Sequence, residues 1–97
     1  MTTGKLETTR EKIRLIDREI IELIEARTAL SGDILSSKKE LNKPIIDEVQ
    51  IEHVLNRASG MAVEKNLDVD AVRQIFKILT QMSIDKQNEY SGKSNMV

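Results

Sequence analysis

The sequence predicts an all-α fold with three helices per chain, one of them very long. Three observations predict it: 32% of the residues are charged, only Phe76 and Tyr90 are aromatic, and apolar residues recur at helical spacing. A β-sandwich would be expected to hold more aromatic and turn-forming residues. The 97 residues fit one domain, over residues 6–90, between a flexible N-terminal segment, 1–5, and a flexible tail, 91–97.

A seven-residue apolar repeat predicts that the first helix runs from about Leu6 to Glu40. Gly32 within it costs about 1 kcal/mol relative to alanine, which leaves open a bend there or a close contact with another helix. The apolar face consists of Leu6, Ile13, Ile16, Ile20, Leu23, Leu30, Ile34 and Leu41.

Two shorter helices follow. Pro44 ends the first helix, because the residue before a proline is disfavoured in the α region. Asp47 and Gln50 form a capping box that opens the second helix, and Asp68 or Asp70 caps the third. The predicted inner faces are Ile51, Val54, Leu55, Ala58 and Met61 on the second helix, and Val72, Ile75, Phe76, Leu79 and Met82 on the third.

The length of the first helix predicts an oligomer. At about 1.5 Å per residue it would span roughly 50 Å, whereas a compact domain of this size has a radius of gyration of about 13 Å. Two shorter helices cannot cover its whole apolar face. A second copy of the chain is therefore expected to pack along it, which gives a homodimer.

Composition also argues against several classes of function. The 15 basic and 16 acidic residues are scattered, so a nucleic-acid partner is not expected. Cysteine is absent and His53 is the only histidine, so we expect no disulfide, metal site or cofactor. No apolar run approaches membrane-spanning length and no signal-like N-terminus is present, so we expect a cytoplasmic protein with no membrane partner.

Polar side chains interrupt the apolar faces at a few positions. Arg27 occupies the repeat position between Ile20 and Ile34, where an aliphatic residue is expected, and Arg10 and Lys38 flank the same face. On the third helix, Ser83 and Gln87 continue the apolar line toward its C-terminal end. Buried groups of this kind need partners.

Two interpretations fit these residues. In one, Arg27 pairs with an internal carboxylate of Glu22, Asp33 or Asp47, Gln87 is a surface residue, and the chain is a non-enzymatic helical dimerisation module. In the other, the cations converge on a small anionic ligand with at least one carboxylate, which a guanidinium can hold through two parallel hydrogen bonds. No nucleophile, phosphate loop or metal motif accompanies them, so any chemistry would depend on binding and electrostatics.

Several segments together resemble the all-helical chorismate mutases of the bacterial and archaeal type. They are residues 6–17, Glu25-Ala26-Arg27, Lys38, Lys43-Pro44-Ile45-Ile46-Asp47 and Ser83-Ile84-Asp85-Lys86-Gln87. The resemblance implies an intertwined six-helix homodimer that converts chorismate, a dicarboxylate, into prephenate on the route to Phe and Tyr. It also implies a reaction without a metal or a cofactor.

The resemblance also implies roles for individual residues. Arg10 matches an arginine supplied by the neighbouring subunit, and Arg27 matches one that holds a substrate carboxylate within its own subunit. Lys38 and Gln87 match the donors to the ether oxygen. The remaining matches are Ser83 beside a carboxylate, Asp47 near the substrate hydroxyl, and Ile34, Val54 and Ile84 as apolar walls.

One position departs from the family pattern. The family usually has a glutamate that follows an arginine early in the second helix and contacts the substrate hydroxyl, whereas this chain has Gln50 and Ile51 there. Glu48 or Glu52 could replace it after a small rotation of the helix. An apolar residue such as Ile51 in the substrate site also resembles the isochorismate-pyruvate lyase branch, which is the alternative enzymatic function.

Overall fold

The computed structural model describes residues 2–92, with side chains described from residue 4 onward. Four α-helical segments and no strand are found in this range, which confirms the all-α prediction. They are α1 (Thr2–Ala29), α2 (Ser31–Glu40), α3 (Glu48–Glu64) and α4 (Val69–Tyr90). The predicted flexible tail falls mostly on residues 93–97, which lie outside the described range, as does Met1.

The long first helix is present as α1 and α2, which follow each other with only a local interruption. Leu30 between them keeps helical dihedrals (φ −70°, ψ −9°), and its carbonyl accepts a hydrogen bond from the Ile34 amide at 3.0 Å. The break therefore lies two residues before Gly32. A Cβ atom at Gly32 would lie 3.6 Å from the Tyr90 ring, so the glycine marks a close contact with α4. The helix also begins earlier than the predicted Leu6.

The two shorter helices begin at the predicted side-chain caps. An Asp47 carboxylate oxygen accepts a hydrogen bond from the Gln50 amide at 3.1 Å, and Asp68, rather than Asp70, accepts one from the Ala71 amide at 3.0 Å. Between α3 and α4 the chain reverses through Asn66, whose φ of 56° lies in the left-handed region that asparagine tolerates. α4 then packs along α3 and also contacts α1 and α2.

The core lies where α2, α3 and α4 meet. Its buried apolar side chains are Leu35, Leu55, Ala58, Ala62 and Ile84. Three residues predicted on the inner faces are exposed instead: Met61 (57%), Ile75 (53%) and Met82 (37%). Leu55, Ala58 and Ala62 follow the spacing of one helix face, which turns Met61 outward.

The N-terminal part of α1 projects beyond this core. Every residue from Gly4 to Leu23 is exposed, and the described chain extends over 61 × 28 × 23 Å with a radius of gyration of 17.5 Å. A compact domain of this length would have a value of about 13 Å. In residues 2–92, none of the helices combines the length and apolar character needed to cross a bilayer.

Candidate active site

A cavity of about 280 Å³ lies between the α1–α2 helix and the hairpin formed by α3 and α4. Of the ten side chains that the sequence predicted for the site, nine line this cavity and Arg10 does not. The nine are Arg27, Ile34, Lys38, Asp47, Ile51, Val54, Ser83, Ile84 and Gln87. Residues from four separate segments of the chain are therefore brought to one hollow.

A hydrogen-bonded chain of polar side chains runs along one wall of the cavity. The Lys38 ammonium donates to the Gln87 Oε1 atom at 3.0 Å and also to the carbonyl of Ile45. Gln87 Nε2 donates to the Ser83 hydroxyl at 3.2 Å, which in turn lies 3.2 Å from the Ser31 hydroxyl. Gln87 is only 3% exposed, so the interpretation of this residue as a surface amide is wrong.

These contacts leave one N–H donor of Lys38 free for a ligand and hold the Gln87 amide beside it. An ammonium has three N–H donors, and Lys38 uses two of them. A carboxamide nitrogen has two, and both are used in hydrogen bonds to the carbonyl and hydroxyl oxygens of Ser83, so Gln87 can donate to a ligand only by giving up one of these bonds. The geometry of both donors is held by the protein before a ligand enters, which is the arrangement that electrostatic catalysis requires.

Arg27 lies on the opposite side of the polar wall, at the end of α1. Its Nη1 atom donates to the carbonyl of Leu79 on α4 at 2.9 Å. The interpretation that Arg27 pairs with an internal carboxylate is wrong within residues 4–92, where it forms no ion pair. Glu22 instead pairs with Arg18 at 3.1 Å. The Arg27 guanidinium thus keeps further donors available.

Burial changes the acidity of the two inner cations. Burial lowers the pKa of Lys38 from its ordinary value, and the negative charge of Asp47 opposes part of that shift. Burial also lowers the pKa of Arg27, and the positive charge of Arg57 adds to the effect. A guanidinium remains protonated all the same, so the cavity is cationic at neutral pH.

Sequence reasoning missed several cavity residues. Ser31, Arg57 and Thr80 also line the hollow, together with Leu30, Ile45 and Gln50. Ser31, Arg57 and Thr80 each lie three or four residues from a predicted site residue on the same helix, with α1 and α2 counted as one. Helical spacing was therefore the signal that could have found them, since residues at this separation share a face.

Comparison with known proteins identifies the family. The model of the family described as chorismate mutase type II matches residues 9–88. The chain belongs to the type II chorismate mutase family. It is 33% identical over 86 residues to a chorismate mutase of Methanocaldococcus jannaschii, covering 89% of this chain and 87% of that protein.

A second relative is longer than this chain. The bifunctional chorismate mutase/prephenate dehydratase of Buchnera aphidicola is 26% identical over 84 residues, which cover 87% of this chain but 22% of that protein. The likeness therefore concerns only part of the bifunctional protein. No solved structure matches the chain significantly.

The departure from the type II chorismate mutase pattern lies at the start of α3. Gln50 and Ile51 both line the cavity, so the position usually held by a glutamate presents an apolar side chain here. Neither Glu48 nor Glu52 replaces it, because neither lines the cavity and the Glu52 carboxylate accepts a hydrogen bond from Arg73 at 3.0 Å. The rotation of the helix that would bring them inward does not occur.

Arg10 lies on the projecting part of α1, far from the cavity of its own chain. It is 17 residues before Arg27, a separation of about 25 Å along a helix. Its side chain is 57% exposed and pairs with Glu7 of the same helix at 3.2 Å. A contribution of Arg10 to a type II chorismate mutase site therefore requires a second subunit.

Proposed function

We propose that this chorismate mutase, an isomerase, converts chorismate into prephenate in the cavity described above. The observation that carries the proposal is the convergence of Arg27, Lys38, Ser83 and Gln87 on one hollow with apolar walls. Such a site suits a small dicarboxylate, because fixed cations interact more strongly with anions where water is excluded.

The reaction fits a site without a nucleophile or a proton relay. Chorismate rearranges when its carbon–oxygen ether bond breaks as a new carbon–carbon bond forms, and no proton needs to move. The protein can accelerate this step by holding the flexible side arm over the ring and by stabilising the negative charge that grows on the ether oxygen.

The proposed roles follow from the contacts. Arg27 holds one carboxylate, with Ser83 beside it. The third N–H of Lys38 donates to the ether oxygen, and Gln87 Nε2 also donates to it in exchange for one of its bonds to Ser83. Asp47 uses one carboxylate oxygen as the α3 cap and offers the other to the substrate hydroxyl. The apolar walls are formed by Ile34, Ile51, Val54 and Ile84.

The projecting helix supports a homodimer as the working state. Apolar side chains from Leu6 to Leu23 are about half exposed or more, and no other part of residues 4–92 covers them. They are Leu6, Ile13, Ile16, Ile20 and Leu23 on the predicted face, with Leu15 and Ile21 beside it. A second copy would bury this surface in an intertwined arrangement of the long helices, and it would carry Arg10 toward the partner's cavity.

The proposed product links the enzyme to the synthesis of Phe and Tyr. The cytoplasmic location expected from the composition stays a prediction.

The decisive experiment supplies the purified protein separately with chorismate and with isochorismate, without added metal or cofactor, and identifies the products. Prephenate from chorismate is the expected result. Release of pyruvate from isochorismate, with no turnover of chorismate, would assign the chain to the lyase alternative, which the apolar Ile51 in the cavity favours. Turnover of neither compound would leave the helical dimerisation module.

A further inference from the structure

The polar groups of the cavity fall into two sets. Lys38, Gln87 and Ser83 are joined to each other by hydrogen bonds even without a ligand. Arg57 and Thr80 also line the cavity, but within residues 4–92 neither side chain forms a hydrogen bond or an ion pair. The second set has no role in the activity as proposed so far.

The Thr80 hydroxyl is the clearest case. Its Oγ1 atom is buried, and it is the one such side-chain oxygen or nitrogen of the described residues without a partner. A helical threonine can usually bond to the carbonyl four residues before it, and Thr80 does not. An unpaired buried hydroxyl destabilises the protein unless something else satisfies it. In this position its partner is a molecule that enters the cavity, either water or a polar group of a ligand.

Arg57 is an exposed residue that supplies a positive charge to the same cavity. It lies close enough to Arg27 for its charge to contribute to the lowered pKa of that guanidinium. Arg27 bonds to the carbonyl of Leu79, the residue directly before Thr80, and all three side chains line one cavity. One carboxylate would offset the repulsion between the two guanidinium groups. It would also accept a hydrogen bond from the unpaired hydroxyl.

We propose that Arg57 and Thr80 form, beside Arg27, the binding point for one carboxylate of the substrate. This assignment rests on the proposed function, because it takes the ligand to be a dicarboxylate. It also gives the site a cation on α3, where Gln50 and Ile51 provide none.

The test measures steady-state kinetics with chorismate and competitive inhibition by prephenate. Arg57→Gln is expected to lower kcat/KM by about 10- to 100-fold and to weaken prephenate inhibition by a similar factor. Lys77→Gln is the matched control, since Lys77 is an exposed cation on α4 that does not line the cavity. The control is expected to stay within about twofold of the unmodified enzyme.

Thr80→Val separates a binding role from a structural one. Valine has nearly the same shape without the hydroxyl, so the variant is expected to raise Tm, because the orphan group is gone, while prephenate binds several-fold more weakly. A residue that only supports the fold would show the opposite change in Tm. A Thr80→Val variant with unaltered prephenate inhibition would remove Thr80 from the binding point.

Folding of each variant is checked by circular dichroism. If Arg57→Gln does not fold, Arg57→Lys gives the same test, because an ammonium keeps the charge but loses the bidentate geometry. The inference would be overturned if the Arg57 variant kept kcat, KM and prephenate inhibition within about twofold of the wild-type values. That result would leave the proposed function standing. An unmodified protein that does not act on chorismate would instead overturn the proposed function.

Discussion

Lys38 is held between two oxygen acceptors in a partly buried position, and its protonation state controls how strongly it donates to a substrate. Burial lowers its pKa, with Asp47 opposing part of the effect. Because the folded pKa lies below the unfolded one, the charged lysine lowers the free energy of unfolding at neutral pH. This penalty disappears as the pH rises from the folded pKa to the ordinary value.

Activity should show the opposite dependence on pH from stability. We expect kcat/KM to fall as the pH rises through the lowered pKa of Lys38, since the neutral amine is a weaker donor to the ether oxygen. Gln87 carries no ionisable proton, so acidification should not be needed for activity. A Lys38→Arg variant keeps its charge and should lose the alkaline decline in whatever activity remains. A rate that instead rises on acidification, following protonation of a carboxyl, would contradict these roles.

The ends of α3 and α4 show how local sequence signals become structure. Asp47 and Asp68 cap their helices in the same way, through hydrogen bonds of 3.1 and 3.0 Å, but only Asp47 lines the cavity. Replacing either with alanine should cost about 1 kcal/mol of stability. Only Asp47→Ala should also reduce kcat/KM. Thermal unfolding and kinetics of both variants check this, and an equal loss of activity in Asp68→Ala would exclude a specific role for Asp47.

Sequence patterns predicted the helices and their caps and singled out Arg27, Lys38, Ser83 and Gln87, because these depend on spacing within one element. The other predicted cavity residues, such as Asp47 and Val54, were implied only by the family resemblance. The exposure of Met61 and Ile75 could not be predicted, since it depends on the rotation of each helix against its neighbours. The same holds for Arg57, an exposed charged residue whose place in the cavity lining appears only when α3 is placed beside α4. The local break at Leu30 also had no clear signal, because the residue is a good helix former.

At the scale of the whole molecule, the main feature is a helix that extends beyond its own core. The segment from Gly4 to Leu23 is exposed in the single chain although it carries a row of large apolar residues. Burying such a row stabilises by about 25 cal/mol for each Å² of apolar surface removed from water. In the proposed homodimer the same contact would supply stability and complete the two active sites, so folding and catalysis would both depend on association.

Mixed dimers test whether Arg10 acts across the interface. An Arg10→Ala chain and an Arg27→Ala chain should each form nearly inactive homodimers. If Arg10 serves the partner's cavity, one site of the mixed dimer collects both defects and the other has none. Random reassociation makes half of the dimers mixed, each with one of two sites intact, so activity should return to about one quarter of the wild-type value.

The matched control combines Lys38→Ala with Arg27→Ala, two residues that line the cavity of one chain. There, every site of the mixed dimer keeps one defect and no activity should return. Absence of recovery in the Arg10 mixture, with mixed dimers verified by mass spectrometry, would place Arg10 outside the partner's site.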